Sequence, residues 1–126
     1  MADPGCRVDD LLAAVRAGLP HRPGPGEVPA LRARGALLVD IRPSEPRRAE
    51  GELPGAVVVD RNVLEWRLDP TSPHRIAEAT DLDREIVLFC NDGYASSLAA
   101  ESLQRLGLAR ATDLDGGFRA WARTQP

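Results

Sequence analysis

Apolar residues fall both into continuous runs and into spaced positions along the chain, and the two patterns predict different elements. Largely apolar runs at residues 36–41, 56–59 and 85–90 are typical of strands buried on both faces. Helical segments separate them, so the strands are expected to run parallel in a covered sheet. We predict an α/β fold with a small parallel sheet of about four to five strands and helices on both faces.

Apolar positions at helical spacing predict helices at residues 8–19, 28–34 and 96–106. A short strand at residues 111–114 and a closing helix at residues 116–123 are expected to follow. The segment at 96–106 has the clearest one-sided pattern. Ser96 or Ser97 is expected to cap its N-terminus, and Gly107 lies just past its end.

A segment rich in proline and glycine, PHRPGPG at residues 20–26, interrupts regular structure near the start of the chain. We therefore predict an N-terminal helix and linker over residues 1–26, packed on the rest as an appendage. One domain is predicted over residues 27–126, because 126 residues suffice for one core but not for two ordinary domains.

The charge and the hydropathy of the chain indicate which kinds of partner and which cellular location to expect. The formal net charge is −3, with basic and acidic residues mixed along the chain, so nucleic acid is not an expected partner. No stretch approaches the roughly 20 apolar residues that span a bilayer, and residues 1–20 lack the pattern of a signal peptide. We expect no membrane partner and a cytoplasmic location. The basic residues are all arginine, which suggests a GC-rich, bacterial genome.

The chain has two cysteines, Cys6 and Cys90. A reducing cytoplasm disfavours a disulfide between them. Neither cysteine belongs to a metal set, because His21 and His74 are isolated and no pair has ligand spacing. No metal and no organic cofactor is expected.

Cys90 ends the third predicted strand, and a polar loop follows it. In parallel α/β sheets, ligands bind beyond the carboxyl ends of the strands. The loop can turn its backbone N–H groups toward the sulfur, and Gly93 permits a conformation that L-residues resist. Such a loop before a helix N-terminus stabilises a thiolate or a bound anion. The alternative is that Cys90 is simply a small buried apolar residue.

Three short motifs occur in order along the chain: Asp40-Ile41-Arg42 with Gly51-Glu52-Leu53-Pro54-Gly55-Ala56, then Cys90-Asn91-Asp92-Gly93, then Asp115-Gly116-Gly117-Phe118-Arg119-Ala120-Trp121. Each motif is weak alone. In this order and spacing, they resemble the rhodanese-like domain family over about residues 28 to 121. The resemblance implies a single-domain sulfurtransferase with a three-layer α/β fold.

The resemblance also implies a mechanism and a set of site residues. A small donor such as thiosulfate or a persulfide passes its outer sulfur to Cys90, and a thiol or protein acceptor then takes it away. The loop that holds the persulfide consists of Asn91, Asp92, Gly93, Tyr94, Ala95 and Ser96. Trp66, Arg61 and Arg67 follow the second predicted strand, where the family often places pocket residues; core packing is the alternative for Trp66.

Two loop residues depart from the pattern of the family. Many members have an arginine near the end of the loop, where this chain has Ala95, and Asp92 adds an acidic side chain. If Asp92 points toward the sulfur, its charge repels an anionic donor. We therefore predict weak thiosulfate:cyanide activity; the alternative is that Asp92 faces solvent.

Other motif residues are assigned structural roles. Arg42 is expected to pair with carboxylates such as Glu45, and Glu52 stands where the family commonly has histidine. The residues Gly116, Gly117, Phe118 and Trp121 are expected to turn the chain and pack the last helix. Tyr94 either lines the entrance to the site or is a surface aromatic.

Three classes of function are compatible with a cysteine loop at the end of a strand. Of these, a catalytic persulfide carrier is favoured. A non-catalytic interaction or regulatory module is the main alternative, against which the retained Cys90 and Gly93 argue. A cysteine phosphatase or arsenate reductase needs an arginine at the sixth residue after the nucleophile to clamp an oxyanion. That residue is Ser96. Cys6 could also act as a second thiol that resolves the persulfide.

Overall fold

The computed structural model describes residues 6–126 of the 126-residue chain, with helices and strands alternating along it. The strands are β1 (Leu37–Asp40), β2 (Val57–Val58), β3 (Ile86–Phe89) and β4 (Ala111–Asp113). The helices are α1 (Arg7–Ala17), α2 (Val28–Ala33), α3 (Ser44–Glu50), α4 (Leu64–Leu68), α5 (Ala95–Arg105) and α6 (Gly117–Ala122). Short 3₁₀ turns at Pro25–Glu27 and Arg61–Val63 precede α2 and α4.

The four strands form one parallel sheet in the order β2-β1-β3-β4. In the two central strands, β1 and β3, every residue is buried. Their register pairs Asp40 with Phe89, so both strands end at the same edge. The predicted parallel α/β fold is confirmed, and Cys90 follows β3 directly at the carboxyl edge.

Alternate residues of the central strands pack into two separate cores, as the period of a strand requires. Leu37 and Val39 face one core together with Leu103 of α5. Leu38 faces the other, which includes Val28 of α2 and Phe118 of α6. Helices therefore cover both faces of the sheet, which explains why the strands read as continuous apolar runs.

Strand β2 was predicted to be buried on both faces, and this prediction is wrong. Val57 is only partly buried and Val58 is exposed. β2 is the edge strand and pairs only with β1. It therefore lacks the second neighbour that encloses a central strand.

The N-terminus of α5 also differs from the prediction. The helix begins at Ala95, and Tyr94 is its N-cap residue without a side-chain capping bond. Ser96 and Ser97 lie inside the first turn, where both are buried. Their hydroxyls bind Asp113 instead of capping the helix, because the carboxyl group of this β4 residue lies beside them.

Helix α1 packs against α5 although none of its residues is fully buried. The chain then passes residues 18–24, where the Asp115 amide donates to the Pro23 carbonyl oxygen at 2.8 Å. The division into residues 1–26 and 27–126 stays a prediction. Among residues 6–126, none of the helices is long and apolar enough to cross a bilayer.

Candidate active site

Cys90 lies at the carboxyl end of β3 with its side chain partly buried. The backbone N–H of Gly93 donates a hydrogen bond to Cys90 Sγ at 3.2 Å. Gly93 has φ +85°, and a Cβ atom there would lie 3.0 Å from the Gly116 nitrogen. The loop therefore needs glycine at this position for both its backbone angle and its close packing.

A buried group of hydroxyls and one carboxylate lies behind the sulfur. The Cys90 thiol lies within 3.4 Å of Ser96 Oγ. Ser96 and Ser97 both donate to Asp113 Oδ2, at 2.7 and 2.8 Å. Asp113 ends β4 and is fully buried. Its carboxylate is thus one hydroxyl away from the thiol.

Two arginines of the N-terminal segment reach the same group. Arg22 Nε donates to Asp113 Oδ1 at 2.8 Å, and Arg16 donates to the Gly93 carbonyl oxygen at 2.6 Å. Burial lowers the pKa of Arg22, but its hydrogen bond to Asp113 and the charge of that carboxylate outweigh burial, so the pKa is raised. The Arg22 guanidinium therefore stays charged beside the Asp113 carboxyl group.

The glycine pair before α6 supports the other side of the loop. Phe118 and Arg119 donate their backbone N–H groups to the carbonyl oxygens of Cys90 and Asn91, at 2.8 and 3.0 Å. Gly117 has φ +65°, and a Cβ atom there would lie 2.5 Å from the Cys90 oxygen. The last helix thus holds the residues after β3 through its first backbone amides.

Arg42 connects the end of β1 to the loop. It donates to Asp40 at 2.8 Å and to the Gly51 carbonyl oxygen at 2.9 Å, and its NH1 group contacts Asn91 Oδ1 at 3.3 Å. Its guanidinium also lies 4.0 Å from the ring centre of Phe118. Arg42 was expected to pair with nearby carboxylates such as Glu45. It does pair with a nearby carboxylate, but with the buried one of Asp40, two residues away in sequence, and not with Glu45.

Asp92 is directed toward a cation. Its carboxylate accepts from Arg119 at 2.9 Å, and the same guanidinium donates to Glu50 at 2.8 Å. Hydrogen bonds to Glu50 and then to Asp92 raise the pKa of Arg119, and the bond from Arg119 lowers the pKa of Glu50. The charge of Asp92 is therefore offset by the guanidinium that it accepts from.

An open cleft of about 410 Å³ leads to Cys90. Its lining includes residues after β1, residues of the turn before α4 and residues of the loop: Ile41, Arg42, Pro43, Asp60, Arg61, Asn62, Cys90, Asn91 and Ala95. Arg61 lines this cleft and pairs with Glu65 at 3.0 Å. Among the predicted pocket residues, Arg61 is the one that the structure brings to Cys90.

Trp66 and Arg67 lie outside the lining of that cleft. Trp66 is 57% exposed, and Arg67 donates to the His74 carbonyl oxygen at 2.9 Å. Tyr94 is 63% exposed and borders a groove with Val8 and Leu12 of α1. The loop therefore presents Tyr94 toward α1.

Glu52 and Cys6 are not among the residues that line the cleft at Cys90. Glu52, at the position where the family commonly has histidine, pairs with Arg47 at 3.1 Å. Cys6 is the N-cap residue of α1, and its thiol is free, as is that of Cys90. Within residues 6–126, no group of three or more His, Cys, Asp or Glu side chains could hold a metal ion.

Sequence reasoning missed Arg16, Arg22, Ser97 and Asp113. Asp113 had one feature that could have found it: it is a charged residue near the end of a short predicted strand, at the edge of the sheet where sites form. Nothing in the sequence could have found the two arginines, because their partners lie 71 to 91 residues away along the chain.

A family model for the rhodanese-like domain matches residues 25–124. The chain belongs to the rhodanese-like domain family. This rhodanese-like protein is 36% identical over 103 residues to a thiosulfate sulfurtransferase GlpE of Pseudomonas fluorescens, covering 81% of this chain and 84% of that one. A GlpE of Stutzerimonas stutzeri gives the same identity and coverage.

Solved structures extend the comparison. The human single domain sulfurtransferase TSTD1 is 28% identical, with a TM-score of 0.70 over 83% of this chain and 97% of that one. A Rhodopseudomonas palustris protein of unknown function, described as a possible tyrosine phosphatase, has a TM-score of 0.82 at 27% identity. It covers 98% of this chain and 95% of its own. Together with the curated relatives, the comparisons identify the chain as a rhodanese-like sulfurtransferase.

Proposed function

We propose that this protein transfers sulfane sulfur through a persulfide on Cys90. The observation that carries the proposal is the hydrogen bond from the Gly93 N–H to Cys90 Sγ at 3.2 Å, beside an open cleft that Cys90 lines. An N–H group that points at Sγ keeps its hydrogen bond when the sulfur becomes anionic, and such a charge-assisted hydrogen bond is stronger than a neutral one. The thiol of Cys90, the N–H group beside it and the open cleft together support a nucleophilic role for Cys90.

The reaction has two half-reactions that balance without an external oxidant. The Cys90 thiolate attacks the outer sulfur of the donor, forming a new S–S bond. The bond between that sulfur and the rest of the donor breaks, and the electron pair leaves with the residual group, which is sulfite for thiosulfate. An acceptor thiolate then attacks the outer sulfur of the persulfide, and Cys90 leaves as thiolate.

The cleft favours an organic persulfide over thiosulfate as donor. Thiosulfate is a small dianion, and the cleft presents the acidic Asp60 together with Arg61, which is already paired with Glu65. Ala95 supplies no cation where many family members have arginine. The repulsion expected from Asp92 is reduced by Arg119, so the absence of a free loop cation carries the prediction of weak thiosulfate activity.

Steady-state kinetics with thiosulfate and with a small organic persulfide test the proposal. Ping-pong kinetics predict parallel double-reciprocal lines when donor and acceptor are varied together. Cys90→Ser is expected to lose turnover with both donors, whereas Cys6→Ser serves as the matched cysteine control and keeps it. Intersecting lines, or turnover by Cys90→Ser, would contradict a covalent sulfur carrier on Cys90.

Phosphatase chemistry is not favoured by the loop. The sixth residue after Cys90 is Ser96, and its hydroxyl already donates to Asp113. An oxyanion clamp needs a forked cation at this place. The guanidinium of Arg16 instead donates to the Gly93 carbonyl oxygen and to Ser97 Oγ.

A further inference from the structure

Both backbone polar groups of Gly93, the N–H and the carbonyl oxygen, make hydrogen bonds. Its N–H donates to Cys90 Sγ, while its carbonyl oxygen accepts from Arg16 at 2.6 Å and from Arg22 at 3.4 Å. Both arginines precede residue 25, where the match to the family model begins. The N-terminal segment therefore adds contacts to the loop from outside the matched domain.

The hydroxyl of Ser96 has one proton and two neighbours that could accept it. Asp113 Oδ2 lies at 2.7 Å and Cys90 Sγ at 3.4 Å. Because the Asp113 oxygen is the closer of the two and pairs with Arg22, the Ser96 hydroxyl donates to it, and the Ser96 oxygen then presents a lone pair to the sulfur. In this orientation, the Ser96 oxygen accepts a hydrogen bond from the neutral Cys90 thiol, but the hydroxyl donates none to the thiolate.

The charge of Asp113 is balanced by Arg22. The two side chains make an ion pair at 2.8 Å, and the Arg22 side chain is partly buried. A negative charge on the Cys90 sulfur would interact favourably with Arg22. Loss of Arg22 would leave a buried carboxylate without its cation, one hydroxyl away from the sulfur.

We propose that Arg22 and Asp113 are positioning residues that set the thiolate population of Cys90 in opposite directions, through Ser96 and the Gly93 peptide. This inference rests on the proposed role of Cys90 as the reacting sulfur. Arg22 favours the thiolate by its charge and by balancing Asp113. Asp113 favours the neutral thiol by its own charge and by accepting the hydrogen bond of Ser96, which turns the hydroxyl proton away from the sulfur.

Other charged groups around the loop are already paired or face the cleft. Arg119 pairs with Asp92 and Glu50, Arg42 with Asp40, and Arg61 with Glu65, while Asp60 accepts from the backbone of Asn62. Arg16 is the remaining cation near the sulfur, and it donates to Gly93 and Ser97. Arg22 also pairs with the exposed Asp115 at 3.3 Å, and that pair is lost with Arg22. Substitutions at Arg22 and Asp113 remove no member of the other pairs.

Alkylation of Cys90 by iodoacetamide across a pH series tests the proposal without any sulfur donor. The background is Cys6→Ser, in which Cys90 is the only thiol. At neutral pH, Arg22→Gln is expected to slow alkylation about three- to tenfold, and Asp113→Asn to accelerate it by a similar factor. The double variant is expected to lie close to the parent, and Arg22→Lys to restore most of the rate.

Two further variants provide controls. Arg34→Gln breaks a similar arginine–carboxylate pair with Glu85, which lies at the opposite end of β3, and should leave the rate unchanged. Ser96→Ala removes the hydroxyl without touching the ion pair. It is expected to accelerate alkylation about two- to threefold, which keeps the proposal testable if Asp113→Asn fails to fold.

A merely structural role predicts a different pattern of rates. If Arg22→Gln and Asp113→Asn change the rate in the same direction, or if Ser96→Ala slows alkylation, the proposal is wrong. Unchanged rates in all three variants would also overturn it. Because alkylation needs no donor, an absent Cys90 persulfide would refute the proposed function and leave these rates to decide the inference independently.

Discussion

Cys90 is held mainly by backbone groups of neighbouring segments. Gly93 donates to its sulfur, and Phe118 donates to its carbonyl oxygen. Both contacts depend on glycines with positive φ, Gly93 itself and Gly117 before Phe118. A side chain at Gly117 would occupy the space in which the Cys90 oxygen lies. The loop geometry is therefore sensitive to a single added methyl group outside the loop.

Gly117→Ala is predicted to destabilise the fold and to impair Cys90 together. Its matched control is Gly35→Ala, which has a similar φ of +78° but no atom within 4 Å of the added Cβ. The control should cost about 1–2 kcal/mol of unfolding free energy, from backbone strain alone. Gly117→Ala should cost more, because its Cβ would lie 2.5 Å from the Cys90 oxygen.

Urea unfolding and the rate of Cys90 alkylation measure the two effects of these substitutions. The control is expected to keep the parent alkylation rate, while Gly117→Ala changes it. Equal losses of stability in the two variants, with both alkylation rates unchanged, would show that the Gly117 contact does not shape the loop.

The sequence was sufficient to predict Cys90 and Gly93 because both belong to one short, local motif. It was not sufficient for Arg16, Arg22 and Asp113, whose contacts join positions that are distant along the chain. A single sequence gives periodicity and turn chemistry, but it does not show which distant side chains meet. The orientation of the Ser96 hydroxyl depends on such a contact, so it was predicted as a cap.

At the scale of elements, α5 connects the loop to the core. Its first turn contains the two buried serines that bind Asp113, and Leu103 further along is fully buried against the sheet. Leu106, the C-cap residue, is 39% exposed. The helix is therefore held at one end by hydrogen bonds to β4 and along its length by apolar packing.

Leu103→Ala is predicted to cost about 2–5 kcal/mol of unfolding free energy, because it leaves a cavity in a closed core. Leu106→Ala is the matched control, with the same change of side chain at an exposed position, and should cost much less. Urea unfolding of the two variants gives the comparison. Similar losses would mean that the packing of α5 does not anchor the helix as described.

Element boundaries were predicted to within about two residues where a clear pattern existed, as in α5 and β3. The error on β2 was of another kind. An apolar run of four residues cannot tell an edge strand from a central one, because the run does not reveal how many neighbours the strand has. Strand order is a property of the sheet, which no local pattern contains.

At the scale of the whole molecule, the strand order determines where the candidate site lies. β1 and β3 are adjacent and parallel, so Arg42 after β1 and Cys90 after β3 share one edge, and the cleft opens between the segments that follow them. The parallel sheet and this edge followed from alternating patterns in the sequence. The contacts of the loop with residues before Pro25 did not, because residues 20–26 were predicted only as a linker and the helix before them as an appendage packed on the domain.

The central claim is that Cys90 carries the transferred sulfur, and intact-mass spectrometry tests it most directly. The protein is incubated with thiosulfate or with a small organic persulfide, beside Cys90→Ser. We predict a gain of roughly 32 Da, one sulfur atom, that thiol or cyanide reverses and that Cys90→Ser lacks. The persulfide donor should give the larger yield. No adduct with either donor, or an equal adduct on Cys90→Ser, would contradict the account.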